Sequence, residues 1–408
     1  MSQAAITSQD MSWFRKNILL GMSNAEYFRK LISPFNVITG LILAVGIPTA
    51  IWRFAAGLGA TTNLSNTNPW GLWLGFDMFF GVAIATGGFS VGVAVYILGN
   101  KDYKPLLRPA LLTGFLGYAF AIIGLLFDLG RPWRLPYPFL VSAGMSSVLF
   151  LVAEHLALYL TAMTLEILPA FAEWLGLKKA WRFLMKGHMV FIILGSVLVM
   201  GHQSALGAMY LLMPSRLHPL WYTPLIPYHF LVSCIAGGLA MLIIESMISH
   251  KVFGHQVKMS HEQDDRLTLG LGKAVAFTLI TYLALKVLSV AHGMHWELLN
   301  TGWGYWFMFE VLGFVLLPTI LYFVAIRRGS AKLVRYTSII TVLGIMLNRF
   351  NVSMVCLNWD APEVYIPKWS EILVTITLIT VLMWVFRWVI NRAPILYKHP
   401  DPFYADEH

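Results

Sequence analysis

Six polar side chains, five of them able to hold or pass protons, interrupt stretches of this chain that are otherwise fit for lipid. Asp77 sits in "PWGLWLGFDMFFG" (69–81), Glu154 and His155 in "FLVAEHLALYL", His202 and Gln203 in "VMGHQSALG", and Glu310 in "WGYWFMFEV". Carboxylates, imidazoles and amides of this kind can bind an ion, hydrogen-bond a carbonyl ligand or exchange protons with it. In hydrocarbon each costs free energy unless something pairs with it or uses it. A helix rises ~1.5 Å per residue, so sequence distance from the end of an apolar run converts to depth. On that scale these six, with Asp128 and Arg131 at the end of the third run, lie within ~15 Å of one membrane face. Fewer lie toward the other face: Glu166, His188 and Glu245. For one buried histidine or carboxylate a structural pairing is the ordinary expectation, and for Asp77 the candidate partner is Arg131. A whole layer of such groups marks a ligand or proton path.

The elements that must position them are membrane helices. Of 408 residues 58% are hydrophobic and only 12% charged, with mean hydropathy +0.68. A soluble domain carries about 25% charged residues. The net charge of +9 comes from short Lys/Arg clusters between apolar runs, a topology signal rather than a nucleic-acid surface. Ten runs reach the ~20 residues that a span requires, near 35–58, 71–99, 109–128, 146–168, 188–212, 225–248, 267–290, 303–326, 333–350 and 370–391. The second could split around "TGGFSVG", and the ninth is weakened by its ending, "LNRFN".

On alternate sides of these runs lie 22 and six Lys or Arg residues, which puts both termini in the cytoplasm. The chain then divides into an amphipathic N-terminal segment (1–34) on the membrane surface, a ten-helix domain (35–391) and a cytoplasmic tail (392–408). No cleavable signal peptide is evident. Five outward loops rich in Trp, Pro and Tyr form a candidate platform for an external partner. Cys234 and Cys356 are too few for an iron–sulfur cluster or a cysteine zinc site.

"WGLWLGFD" (70–77) and "WGYWFMFE" (303–310) share W-G-x-W-x-x-F-acid on runs of the same direction, consistent with duplication or with chance between two interfacial helix starts. His188 and His202 are 14 apart, a spacing that stacks two haems. The partner helix is lacking, because His155 has Val141 and Pro169 at the matching offsets. One haem between His155 and His202 stays open on spacing alone. A quinone needs hydrogen-bonding groups at two carbonyls, a proton source and an apolar slot, all of which these residues supply. A transported ion could use the same carboxylates.

The ordered motifs "NPWGLWLGFD…ATGG", "FDLGRPWRLPY", "SVLFLVAEHLALYLTAMTLEILP", "GHQSALGAMYLL…HPLW" and "NRFNVSMVCLNW…YIPKWSEI" resemble the NrfD/PsrC family of quinone-interacting membrane subunits, above all its ten-span, HybB-like members. The resemblance runs from about residue 35 to 395. It implies an all-α protein of two four-helix bundles plus two flanking helices, with no haem and no iron–sulfur cluster of its own. It further implies exchange of electrons between menaquinone and a periplasmic ferredoxin-like iron–sulfur subunit, with a further periplasmic catalytic or cytochrome c subunit behind it.

Family positions near the quinone match Asp77, Asp128, Arg131, Glu154, His202 and Gln203, with Asp77, His202 and Glu154 as the acid–base groups. His155 joins them from its depth alone. Glu166, His188, Glu245 and Glu310 become candidates for a proton path. The alternatives are a proton- or ion-translocating subunit without quinone chemistry and a purely structural membrane anchor.

Overall fold

The computed structural model describes residues 13–257 and 259–404 and is all-helical, with ten helices long and apolar enough to cross a membrane. They are α1 (Pro34–Ala56), α2 (Trp73–Ile97), α3 (Lys101–Asp128), α4 (Val148–Trp174), α5 (Lys178–Leu212), α6 (Ile226–Phe253), α7 (His261–His292), α8 (Gly302–Arg327), α9 (Ala331–Val355) and α10 (Trp369–Ile390). The count agrees with the sequence reading, while several ends differ. α5 begins ten residues before the expected 188, because hydropathy stops at the basic "KKAWRFLMKGH" whereas the backbone stays helical. α9 passes through "NRF" and gains a π-helical turn, Asn351–Val355. The second span is one run broken at Ala85–Thr86, between π-helical stretches at Trp73–Phe80 and Val93–Ile97. Before α1 the N-terminal segment forms two short helices, Trp13–Asn17 and Asn24–Leu31, while residues 1–12 fall outside the description.

α2–α5 close into one four-helix bundle and α6–α9 into a second, with α1 and α10 paired against α2 and α3. The bundles meet where α2 and α5 pack on α6, and α2 on α9. The α2–α6 seam is made by glycines. A Cβ on Gly87 would lie 2.8 Å from the Gly238 carbonyl, and one on Gly238 would lie 2.6 Å from the Gly87 nitrogen. Thr86, at the break in α2, bonds across the seam to the Cys234 carbonyl (2.7 Å). Both cysteines are buried thiols.

The two ends of the molecule differ. The basic end carries the first and last described residues, and the tail packs down there through residue 404. Arg108 grips Glu173 and the Pro394 carbonyl (2.8 Å), Lys178 pairs with Asp401 (2.8 Å), and Tyr404 is buried against Trp181. At the opposite, aromatic end, the α9–α10 loop is stitched to its neighbours through Asn68–Glu363, Asn358–Thr67 and Leu217–Leu357 contacts. His218 sits there among Trp221, Trp303 and Trp359. Burial, then the neighbouring His295, draws its pKa down to about 4, so the imidazole is neutral.

The second bundle is centred on a buried ion pair. Lys286 of α7 reaches Glu310 of α8 at 3.0 Å. The same carboxylate accepts from Trp221 (2.7 Å), Asn348 (2.8 Å) and Asn351 (2.5 Å), so two donors meet each oxygen. Arg349 extends the network to Asn348 and Ser233 and lies over the Phe230 ring. A buried charge that loses its partner costs about 3–5 kcal/mol, whereas replacing both partners is far milder. Lys286→Met should therefore lower the thermal unfolding midpoint of the purified protein sharply, and Lys286→Met with Glu310→Gln should recover most of the loss. Equal losses in the single and double variants would mean that the pair does not organise this bundle.

Candidate functional site

Four helices meet around Asp77. α2 and α10 run side by side with matching turns: Trp73 Nε1 donates to the Glu371 carbonyl (3.2 Å), and four residues on, Asp77 Oδ2 accepts from the Thr375 hydroxyl (3.3 Å). Residues four apart on a helix share a face, so Glu371 and Thr375 present one face of α10 to one face of α2. On the third side, Gly124 lets α3 come close: a Cβ there would lie 2.5 Å from Asp77 Cβ. Asp128, four residues beyond Gly124, is thus carried about one turn, or ~5.4 Å, nearer the aromatic end. It interacts electrostatically with Arg53, Glu371 and Asp77.

Arg53 of α1 closes the fourth side. It is buried, with Nε on the Phe127 carbonyl (2.8 Å) and Nη2 on the Leu129 carbonyl (2.7 Å), the two peptides that flank Asp128. Glu371 is buried too and accepts from the Tyr365 hydroxyl (2.5 Å), the Lys368 backbone N–H (2.8 Å) and the Asn63 backbone N–H (3.2 Å). Asp128 Oδ1 is buried with no hydrogen-bond partner. Three carboxylates and one guanidinium therefore share a site with unspent hydrogen-bonding capacity.

A second polar cluster lies inside the first bundle, between α3, α4 and α5. Tyr118 of α3 meets His202 Nδ1 (3.3 Å) and accepts from Gln203 Nε2 (3.3 Å), with Tyr159 of α4 edge-on to it at 4.4 Å. All four residues are buried. His202 Nε2, Gln203 Oε1 and the Tyr159 hydroxyl have no partner. Buried polar atoms are normally satisfied, so such orphans call for a ligand, a water or a catalytic role.

The sequence-predicted residues thus divide among several places. Asp77 and Asp128 share the first cluster, and His202 and Gln203 the second; among the described residues no hydrogen bond joins the two clusters. His155 is half-buried, its Nδ1 on the Leu151 carbonyl of its own helix (2.9 Å) and its ring against Gly201. Glu154 beside it is half-buried. Arg131 is exposed past the end of α3, and the pairing with Asp77 expected of it is not formed; Thr375 takes that carboxylate. Trp221, read as part of the outward platform, turns inward onto Glu310, while Trp133 stays exposed. Glu310 is saturated by its four donors.

Glu166, His188 and Glu245 converge on a cavity of about 530 Å³ at the basic end, whose rim includes Lys104, Arg108 and Lys398. Neither oxygen of Glu245 makes a hydrogen bond of good geometry.

Sequence reasoning missed Arg53, Tyr365, Glu371 and Thr375. Arg53 counted only toward the charge asymmetry, and the others fall around the start of the last span, where an acid and a hydroxyl are common capping residues. "YIPKWSEI" was visible as a motif, but nothing in it says that its face meets α2 and α3.

Among known proteins, the profile of the polysulphide reductase NrfD family matches residues 60–357. A protein of Nitratidesulfovibrio vulgaris is 43% identical over 390 residues, covering 95% of this chain and 100% of the relative. The probable Ni/Fe-hydrogenase 2 b-type cytochrome subunit of Escherichia coli is 29% identical, over 90% of this chain and 93% of its own. The integral membrane subunit of menaquinone reductase from Nitratidesulfovibrio vulgaris is 26% identical, over 80% and 83%. With its ten apolar helices and these bacterial relatives, the chain is a multi-pass protein of the bacterial inner membrane. It belongs to the polysulphide reductase NrfD family.

Proposed function

We propose that the chain is the quinone-reactive membrane subunit of a respiratory oxidoreductase and that menaquinone is its substrate, the quinone in the printed name of one relative. In this reading the basic end faces the cytoplasm, following the Lys/Arg asymmetry. The aromatic end then faces the periplasm, toward a ferredoxin-like iron–sulfur subunit and a further catalytic or cytochrome c subunit. One contrast supports it. The acid of the second W-G-x-W-x-x-F-acid segment, Glu310, is saturated by four donors, whereas its counterpart Asp77 has one 3.3 Å hydrogen bond and an unsatisfied carboxyl beside it. The first is built as structure. The second keeps capacity for a ligand.

The orphaned atoms fit a quinone headgroup, which needs donors at its oxygens and groups that exchange protons. When bound, the quinone supplies a two-electron, two-proton couple. Asp77 and Asp128 hold and pass protons, Thr375 orients Asp77, and Arg53 holds the α3 carbonyls that set Asp128. His202, Gln203 and Tyr159 offer a second set of contacts, and Glu154 and His155 flank them. A single haem does not fit as well. A Cβ on Gly201 would lie 2.6 Å from the His155 ring, so that imidazole packs against the α5 backbone, and its Nδ1 is engaged by the Leu151 carbonyl.

A second reading, proton translocation, is favoured by the cavity that holds Glu166, His188 and Glu245 and by the break in α2. It would add a cytoplasmic entry to the quinone site rather than replace it.

Three outcomes are expected. Purified subunit should show no stoichiometric b-type haem spectrum; a full Soret band would return His155 and His202 to ligand duty. A single cysteine replacing the exposed Trp133 should label more slowly in the assembled complex than in the free subunit, and equal rates would remove the docking platform. Asp77→Asn keeps shape and hydrogen bonding but cannot carry the proton. The complex should assemble while quinone turnover falls at least about tenfold, the scale of one lost acid–base group. Near-normal turnover in an intact Asp77→Asn complex would make the aspartate structural and move the site toward His202 and Glu154.

A further inference from the structure

Glu371 is more than a helix cap. A glutamate in the first turn that accepts from the Lys368 backbone is ordinary capping chemistry, favoured by the helix dipole. Such residues usually face water. Glu371 is instead fully buried, and its second oxygen is given to a phenol rather than to the backbone. The Tyr365 hydroxyl that donates to it also accepts the Leu72 backbone N–H (3.0 Å). That phenol sits where a side chain at Gly71 would be, since a Cβ there would lie 2.5 Å from its oxygen. Gly71 of the "PWGLW" segment thus makes room for Tyr365, as Gly124 makes room for Asp77.

The surrounding charges are few. Arg53 comes from α1, Asp77 from α2 and Asp128 from α3; Lys368 turns its ammonium away to the Ala60 carbonyl (2.7 Å). Along the membrane normal, Asp77 is deepest, Asp128 and Glu371 stand about one turn nearer the aromatic end, and Tyr365 lies beyond them in the α9–α10 loop, half-buried.

We propose that Glu371, with Tyr365 at its outer side, carries protons between the Asp77–Asp128 cluster and the aqueous edge of the aromatic end. The proposal rests on the quinone reading of that cluster. Oxidation of a hydroquinone sends two electrons to the iron–sulfur partner and releases two protons; reduction takes up the same number. Each proton passes from Asp77 to Asp128, from Asp128 to Glu371, and from Glu371 to water past Tyr365, or the reverse. Every carboxylate ends the turn as it began. Burial and then the Glu371 carboxylate hold the Tyr365 phenol well above its usual pKa range. It therefore keeps its proton and contributes by donating on one side while accepting on the other. Glu371 is a relay, not a group that touches the quinone.

The test uses the assembled complex with menadiol as the soluble quinol, following reduction of the iron–sulfur absorbance between about pH 5.5 and 8.5, a window spanning the reference values of carboxyl and imidazole groups upward. Glu371→Gln should lower turnover at least about tenfold and flatten the pH–rate profile, with menadiol affinity unchanged. Glu371→Asp should restore part of the rate. Tyr365→Phe should slow turnover in the same direction while leaving the cap intact, and it decides the matter if Glu371→Gln fails to assemble. Native rate and native pH profile in the intact variants would overturn the relay. The quinone reading falls separately, only if Asp77→Asn is also native.

Discussion

Hydrocarbon offers a polar group no second partner. Every charge buried in its spans must be answered from within the chain or by what the chain binds, and Glu310 and Asp77 are answered to different degrees. Glu310 is answered completely, by a lysine, an indole and two amides from three different segments. That closure fixes α7, α8 and α9 around one carboxylate and leaves no acceptor free. Asp77 and Asp128 are answered in part, and the polar atoms left over cluster with a guanidinium and a third carboxylate. Two acids that open their helices with the same residue pattern have gone opposite ways. The difference lies in what the neighbouring helices bring.

Glycine sets how those neighbours approach. At Gly124 it brings α3 onto Asp77, at Gly71 it admits the Tyr365 phenol, and at Gly87 and Gly238 it brings two bundles into backbone contact. The π-helical stretches act alongside. A π turn re-aims the side chains that follow it, and two such stretches, Trp73–Phe80 and Asn351–Val355, lie in contact with Asp77 on one and a Glu310 partner on the other. The open and the closed sites are thus held by adjoining irregular turns.

Much of this was legible beforehand. The apolar runs gave ten helices because length and hydropathy are local properties, and the depth of Asp77, Asp128, His202 and Gln203 followed from the rise of a helix. Ends were less legible. α5 starts early because a basic amphipathic turn is still helix, and α9 continues because "NRFN" satisfies its polar groups inside the bundle. Partners were least legible of all. Arg53 was counted only toward the charge asymmetry, and Arg131 was the candidate mate of Asp77. Arg53 lies within α1 and turns inward, whereas Arg131 lies past the end of α3 and is exposed. Glu371 fell at the start of the tenth apolar run; the role proposed for it depends on α10 meeting a face of α2 that is 298 residues distant in the chain.

That distance bears on how the protein is made. Thr375 and Glu371 belong to α10, which leaves the ribosome after the nine spans before it, and Arg53, Asp77 and Asp128 of the same cluster belong to the first three. Until α10 inserts, Asp77 has neither Thr375 nor a covered flank. A chain stopped before α10 therefore leaves Asp77 without its hydroxyl partner and Asp128 without the neighbouring Glu371. The polar cluster is a late product of the fold, although three of its four helices are the first to be made.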